Sequence, residues 1–116
     1  MSRQLVTIAP GWSGAYALFL NKEADLVLSY TTSPAYHEEK EKNERIAAIF
    51  FEKGHYRQIE GVGILKGAPH RLLAQKYVRL LLGPAIQKEL PLLQWMYPAA
   101  KNIELPASFK KLPFPK

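Results

Sequence analysis

The chain has 116 residues, 47% of them hydrophobic and 22% charged, with a formal net charge of +6 and an isoelectric point near 9.6. That length allows one domain with a modest core, and the absence of cysteine excludes disulfides and thiolate metal sites. A surplus of positive charge suits nucleic acid or an anionic ligand. Here, however, Lys and Arg are spread along the chain and sit beside acidic residues in "HEEKEKNER", so the charge reads as a solvated basic surface. The longest apolar stretches, "RLLLG" and "ELPLLQW", are too short to span a bilayer, and "MSRQLVTIAP" holds no apolar run of signal-peptide length.

In chain order, "QLVTIAP" alternates and is β-branched, which predicts a short strand ending at Pro10. Trp12, Tyr16, Phe19 and Leu20 then recur at helical spacing, and the helix is expected to begin near Ser13. "DLVLSY" is a continuous apolar run of the kind buried on both faces of a parallel sheet. Strand, helix, strand in that order is a βαβ unit, which places the chain in the α/β class. Pro34 favours the start of a helix or turn, and "AYHEEKEKNER" reads as an exposed helix or loop. "IAAIFF" and "HYRQIEGVGIL" predict two further strands, the latter ending at Gly67.

"APHRLLAQKYVRLLLG" carries the strongest helical pattern, with Leu72, Leu73, Lys76, Tyr77 and Leu80 along one side and Gly83 and Pro84 as the stop. A shorter helix is expected over "PAIQKEL". Beyond it, the proline-rich "PLLQWMYPAAKNIELPASFKKLPFPK" reads as irregular.

Catalytic chemistry finds no support. Gly61, Gly63 and Gly67 miss the spacing of a dinucleotide-binding loop. His37, His55 and His70 lack the partner at i+3 or i+4 that a metal helix requires. No serine sits in a nucleophile elbow, and no acid, base and nucleophile stand at workable spacing. The chain is therefore expected to be no enzyme and to carry no metal and no cofactor.

Aromatic residues are the richer signal. Trp12, Tyr30, Tyr36, Trp95 and Tyr97 fall at predicted element ends or in loops. In α/β sheets, ligand clefts open at the carboxyl ends of strands and at helix N-termini. Two readings follow: aromatics at the rim of a core, or a cage for a flat or cationic heterocycle. Each stacking or cation–π contact in such a cage contributes about 0.5–2 kcal/mol.

"GWSGAYALF", "DLVLSYTTSPAYH", "GHYRQIE", "LAQKYVRLLLGPAIQ" and "QWMYP" occur in an order and spacing that resembles the thiamine-binding periplasmic proteins that feed ABC transporters. The similarity runs from about Arg3 to Leu112 and covers only part of that family's length. It implies the C-terminal portion of a two-lobed periplasmic-binding-protein fold, type II-like, with hinge-crossing segments. Residues 1–54 would be a βαβ-like part of the second lobe, 55–90 a hinge strand and helices, and 91–116 an irregular C-terminal segment.

The resemblance further implies a solute-binding component of a thiamine import system, located in the periplasm and partnered by a permease. Its ligand would be thiamine or a thiamine phosphate. Trp12, Tyr30, Tyr36 and Trp95 match the family's ligand contacts, with Trp12 toward the phosphate end. Gln94, Leu92 and Leu93 depart from the family's pattern near "WMYP". Two other readings stand beside this one. The first is a truncated or split-gene remnant that does not bind by itself, or folds by self-association through exposed apolar surface. The second is a small basic nucleic-acid-binding domain, although nucleic acid is not the expected partner.

Overall fold

A computed structural model of the chain describes residues 5–113. They form two compact units that divide between Thr31 and Thr32.

In the first unit, α1 spans Trp12–Leu20, starting one residue ahead of the expected position. Gly11 caps it in extended conformation, and Lys22, with φ of 64°, turns the chain left-handed beyond its end. Tyr16 is the buried residue of this helix; its ring stacks on Trp12 at 4.8 Å and tilts against Phe19 at 5.7 Å.

In the second unit, α2 covers Ser33–Tyr36, with Pro34 in its first turn. A π-helical turn over His37–Glu41 continues it, and Lys42, at φ of 56°, ends that turn. The helix or loop expected over "AYHEEKEKNER" is a helical start followed by a loop, but it is not the exposed segment expected, because Ala35 and His37 are buried in the core of the unit. Next, α3 runs from Arg71 to Leu81, inside the predicted segment, and stops where Gly83 and Pro84 require it. Three four-residue helices complete the unit: α4 (Pro84–Gln87), α5 (Leu90–Leu93) and α6 (Ala107–Lys110). The sequence pattern did not anticipate α5 and α6. Both are single turns, with Pro91 in the first turn of α5 and Pro106 immediately before α6.

None of the expected strands pairs into a ladder among the described residues. The first begins at Gln4, outside them, and its remainder is irregular. A helix satisfies its own backbone, whereas a strand is completed only by a neighbour. Many apolar side chains of these segments accordingly face solvent, with Leu28 92%, Phe51 68% and Ile59 81% exposed.

The core of the second unit is small. It gathers where α2 and the π turn meet α6, around Ala35, His37, Ser108 and Phe109. Tyr97 meets the Phe109 ring edge-on at 5.3 Å. Buried Gln87 ties two segments together. Its Nε2 donates to the Leu81 carbonyl at 2.8 Å, while its Oε1 accepts from the backbone N–H groups of Ala99 at 2.7 Å and Ala100 at 3.0 Å. One amide thus closes the C-terminal end of α3 and anchors the loop after "WMYP". The apolar side of α3 remains uncovered, with Leu72 and Leu73 both exposed.

Two stability predictions follow from these contacts. Gln87→Leu leaves two backbone donors and one carbonyl without their partner, a loss of about 1–3 kcal/mol. Faster amide exchange at Ala99 and Ala100 is the expected result; unchanged exchange there removes Gln87 from this role. The second concerns alkali. Burial pushes the Tyr97 phenol above its usual value, and the Glu38 hydrogen bond, with Coulomb help from Glu44, raises the Lys111 ammonium. Both folded-state values are raised, so both contributions are full below about pH 10 and fade as pH climbs through the raised values. Urea midpoints should fall above about pH 10, and less steeply in Tyr97→Phe.

Candidate functional site

The four aromatic residues singled out from the sequence form two pairs, one in each unit. In the first, Trp12 opens α1, where the extended Gly11 cap leaves the first turn without a side-chain cap. Its indole Nε1 donates to Ser29 Oγ at 3.1 Å, and its ring lies 6.2 Å from that of Tyr30 at an interplanar angle of 51°. Trp12 and Tyr30 are 49% and 57% exposed, so each keeps a ring surface open to solvent. Tyr16 behind Trp12 is buried and supports the indole from the helix side. The "DLVLSY" segment therefore delivers Ser29 and Tyr30 to the N-terminal end of α1, although it pairs with no other strand.

In the second pair, Tyr36 and Trp95 meet edge to face, with centroids 5.1 Å apart at 84°. Tyr36 closes α2 and is held from beneath by the next residue. His37 is buried, its Nδ1 lies 2.7 Å from Glu41 Oε2, and its ring is edge-on to Tyr36 at 5.2 Å. The imidazole–carboxylate contact spans one turn and fixes the π segment that follows Tyr36. This histidine is a structural support.

Trp95, with φ of 56°, follows α5 and its C-cap residue Gln94. That is the left-handed conformation usually left to glycine after a helix. A bulky residue held there stores about 1–3 kcal/mol of backbone strain. The chain accepts that cost and presents an indole to Tyr36. Lys40 lies on the same side, its ammonium 5.9 Å from the Trp95 ring centroid.

Sequence reasoning missed three of these features: the Ser29 acceptor, the left-handed backbone at Trp95 and the ammonium over its ring. Lys40 stands four residues after Tyr36, a helical spacing that could have drawn notice. The other two depend on contacts between distant segments. Among the described residues no three His, Asp or Glu side chains gather closely enough to hold a metal ion. No helix among them is long and apolar enough to cross a membrane.

Residues 3–88 match the family of bacterial extracellular solute-binding proteins. The chain belongs to this family. Among relatives, this chain is 48% identical over 115 residues to the thiamine-binding periplasmic protein of Escherichia coli strain K12, covering 99% of itself and 35% of that protein. It is 43% identical over 117 residues to the protein of the same name from Brucella abortus, again covering 35% of it. A solved structure of a periplasmic thiamin binding protein superposes with a TM-score of 0.79 at 50% identity, over 90% of this chain and 33% of that one. The fold is thus that of a periplasmic binding protein. The chain spans about a third of the length of the relatives it matches.

The strain at Trp95 gives a test of what the residue is for. Trp95→Gly relaxes the backbone and should leave the urea midpoint equal or higher, by up to about 1 kcal/mol in stability. A residue kept for packing would instead show a clear loss on replacement. A large drop in stability assigns Trp95 to structure and removes the argument from strain.

Proposed function

We propose that this chain is the C-terminal portion of a two-lobed, type II-like α/β solute-binding protein and that its ligand is thiamine or a thiamine phosphate. The observation that carries this reading is the edge-to-face pair of Tyr36 and Trp95, maintained at the expense of a left-handed backbone under an indole. A protein with a net charge of +6 gains nothing from overall electrostatics in holding a cation of two flat rings. It needs local π-faces and a few placed polar groups. Trp12 and Tyr30 supply further ring surface, and the uncapped first turn of α1 offers N–H groups to a phosphate. The relatives' names, at 43–48% identity, support the choice of thiamine.

On this reading residues 1–54 belong to the second lobe, 55–90 to the hinge strand and helices, and 91–116 to an irregular C-terminal segment. The segments read as strands pair in the complete fold. The protein acts in the periplasm, performs no reaction and delivers its ligand to a membrane permease after lobe closure. A second reading draws on the exposed apolar side of α3 and the unpaired strand segments. It holds that the chain binds nothing alone and needs a further polypeptide, another copy included.

Calorimetry on two proteins separates these readings. One is the 116-residue chain itself. The other is the Escherichia coli relative with its matching segment replaced by this chain. The chimaera should bind thiamine, and Trp95→Ala or Tyr36→Ala in it should weaken binding at least about tenfold, the loss of one to two aromatic contacts. For the chain alone, weak binding or none is expected. A correctly folded chimaera that ignores millimolar thiamine and its phosphates refutes the ligand assignment.

A further inference from the structure

Among the described residues α3 is the longest helix, with 11 residues, and it buries none of them. Leu73, Tyr77 and Leu80 lie at i, i+4 and i+7 on one side and are 65%, 58% and 56% exposed. A helix of this length draws its stability from the surface that its apolar side covers. No described residue covers that side.

The segment leading into α3 has the same need. Residues 56–67 are all exposed, and those from 56 to 64 make no backbone hydrogen bond among the described residues. In extended register Ile59, Gly61, Gly63 and Leu65 fall on one face. Neither Gly61 nor Gly63 has a positive φ, and a Cβ at either would meet nothing within 4 Å. Neither position therefore requires glycine in the chain as it stands. Glycine inside a strand marks close approach by another backbone, and these two leave room for one.

Charge and hydrogen bonding restrict what the neighbour is. Between Glu60 and Glu89 the sequence holds Lys66, Arg71, Lys76, Arg79 and Lys88 and no acid. Lys88 lies 3.6 Å from Glu89, and among the described residues the other four pair with no carboxylate. A second copy docked across a two-fold would set these cations against their own counterparts. An anionic bilayer would suit the cations and leucines. It would complete no ladder along 56–64, however, and has no backbone to approach the glycines. A polypeptide sheet meets all three demands, since in α/β folds the helix after a strand covers a face of the sheet which that strand joins.

The chain spans about a third of the length of its relatives. Resting on its reading as part of a longer solute-binding protein, we infer that residues 56–65 and α3 form one docking surface. Its occupant is an open β-sheet in the part of that protein beyond the matched third. Residues 56–65 pair along a free edge of that sheet, α3 covers its apolar face, and acidic residues at its rim meet Lys76 and Arg79.

The chain has no cysteine, so Leu73→Cys gives it a single thiol. Reaction with N-ethylmaleimide is followed by mass in the chain alone and in the chimaera, on the peptide that carries residue 73. In the chain the thiol should react as in an unstructured peptide at every protein concentration, and in the chimaera at least about tenfold more slowly. Gly63→Val should leave the urea midpoint of the chain equal or higher, since Val favours a strand. It should lower that of the chimaera, where the added side chain has no room. Equal thiol rates in the two proteins, or a Gly63→Val chimaera as stable as its parent, overturn the inference. Protection in the chain that grows with its concentration also overturns it, making a second copy the occupant. So does protection of the chimaera only when phosphatidylglycerol vesicles are added, which makes the occupant a bilayer. Should the chimaera not fold, the Escherichia coli relative with Cys at the position aligned with Leu73 gives the same reading. Neither readout uses a ligand, so failure here leaves the thiamine assignment standing, and a failed thiamine titration leaves this interface standing.

Discussion

The organisation of this chain rests on where its backbone hydrogen bonds can close. A helical turn closes them within a few residues, so α1 to α6 and the π turn form from local sequence. The apolar segments between them have no such recourse. "DLVLSY", "IAAIFF" and "HYRQIEGVGIL" carry the side chains of buried strands, yet each needs another strand to complete its ladder. Among the described residues that partner is missing for all of them, and many of their side chains stay in water. The core is therefore assembled from short helical pieces. Gln87 matters out of proportion to its size, because one amide joins the end of α3 to the segment around Ala99.

The π turn over His37–Glu41 links core and surface. Its first residue is buried and paired with its last, which holds the turn in shape. The same turn follows directly on Tyr36, carries Lys40 toward Trp95, and sets Glu38 against Lys111 beyond α6. A π turn is an uncommon, strained element that frequently accompanies function. Here the wider turn puts an aromatic ring and an ammonium side by side at its outer surface. His37 thereby supports its neighbours from the core.

The two aromatic pairs are supported in different ways. Trp12 lies on a helix, backed by buried Tyr16 and hydrogen-bonded to Ser29, so its orientation follows from ordinary packing. Trp95 is supported by a backbone conformation that a bulky residue adopts only at a cost. Cost of that kind is concentrated where a protein needs a side chain in one place, and it sets Trp95 apart from the rim-of-core aromatics it resembles in the sequence.

The sequence alone disclosed α1 and α3, since a 3.6-residue period and its stop signals are local properties: a start of α1 near Ser13, one residue late, and the end of α3 before Gly83 and Pro84, whereas the single turns α5 and α6 carry no such period. It also disclosed the aromatic residues and, through "LSYTTSPAYH" and "QWMYP", the family. It marked the strand segments by composition, but composition measures a side chain's fitness for a sheet and says nothing of whether a neighbouring strand is present. Only the tertiary structure decided which aromatics meet. The Tyr36–Trp95 contact joins residues far apart in the sequence of the second unit, and no periodicity spans that separation. Nor could a pattern of residue types reveal that Trp95 stands in a left-handed conformation, or that the exposed Lys40 lies over its ring. Those follow from how α2, the π turn and the end of α5 pack together, a property of the folded chain and of no single segment.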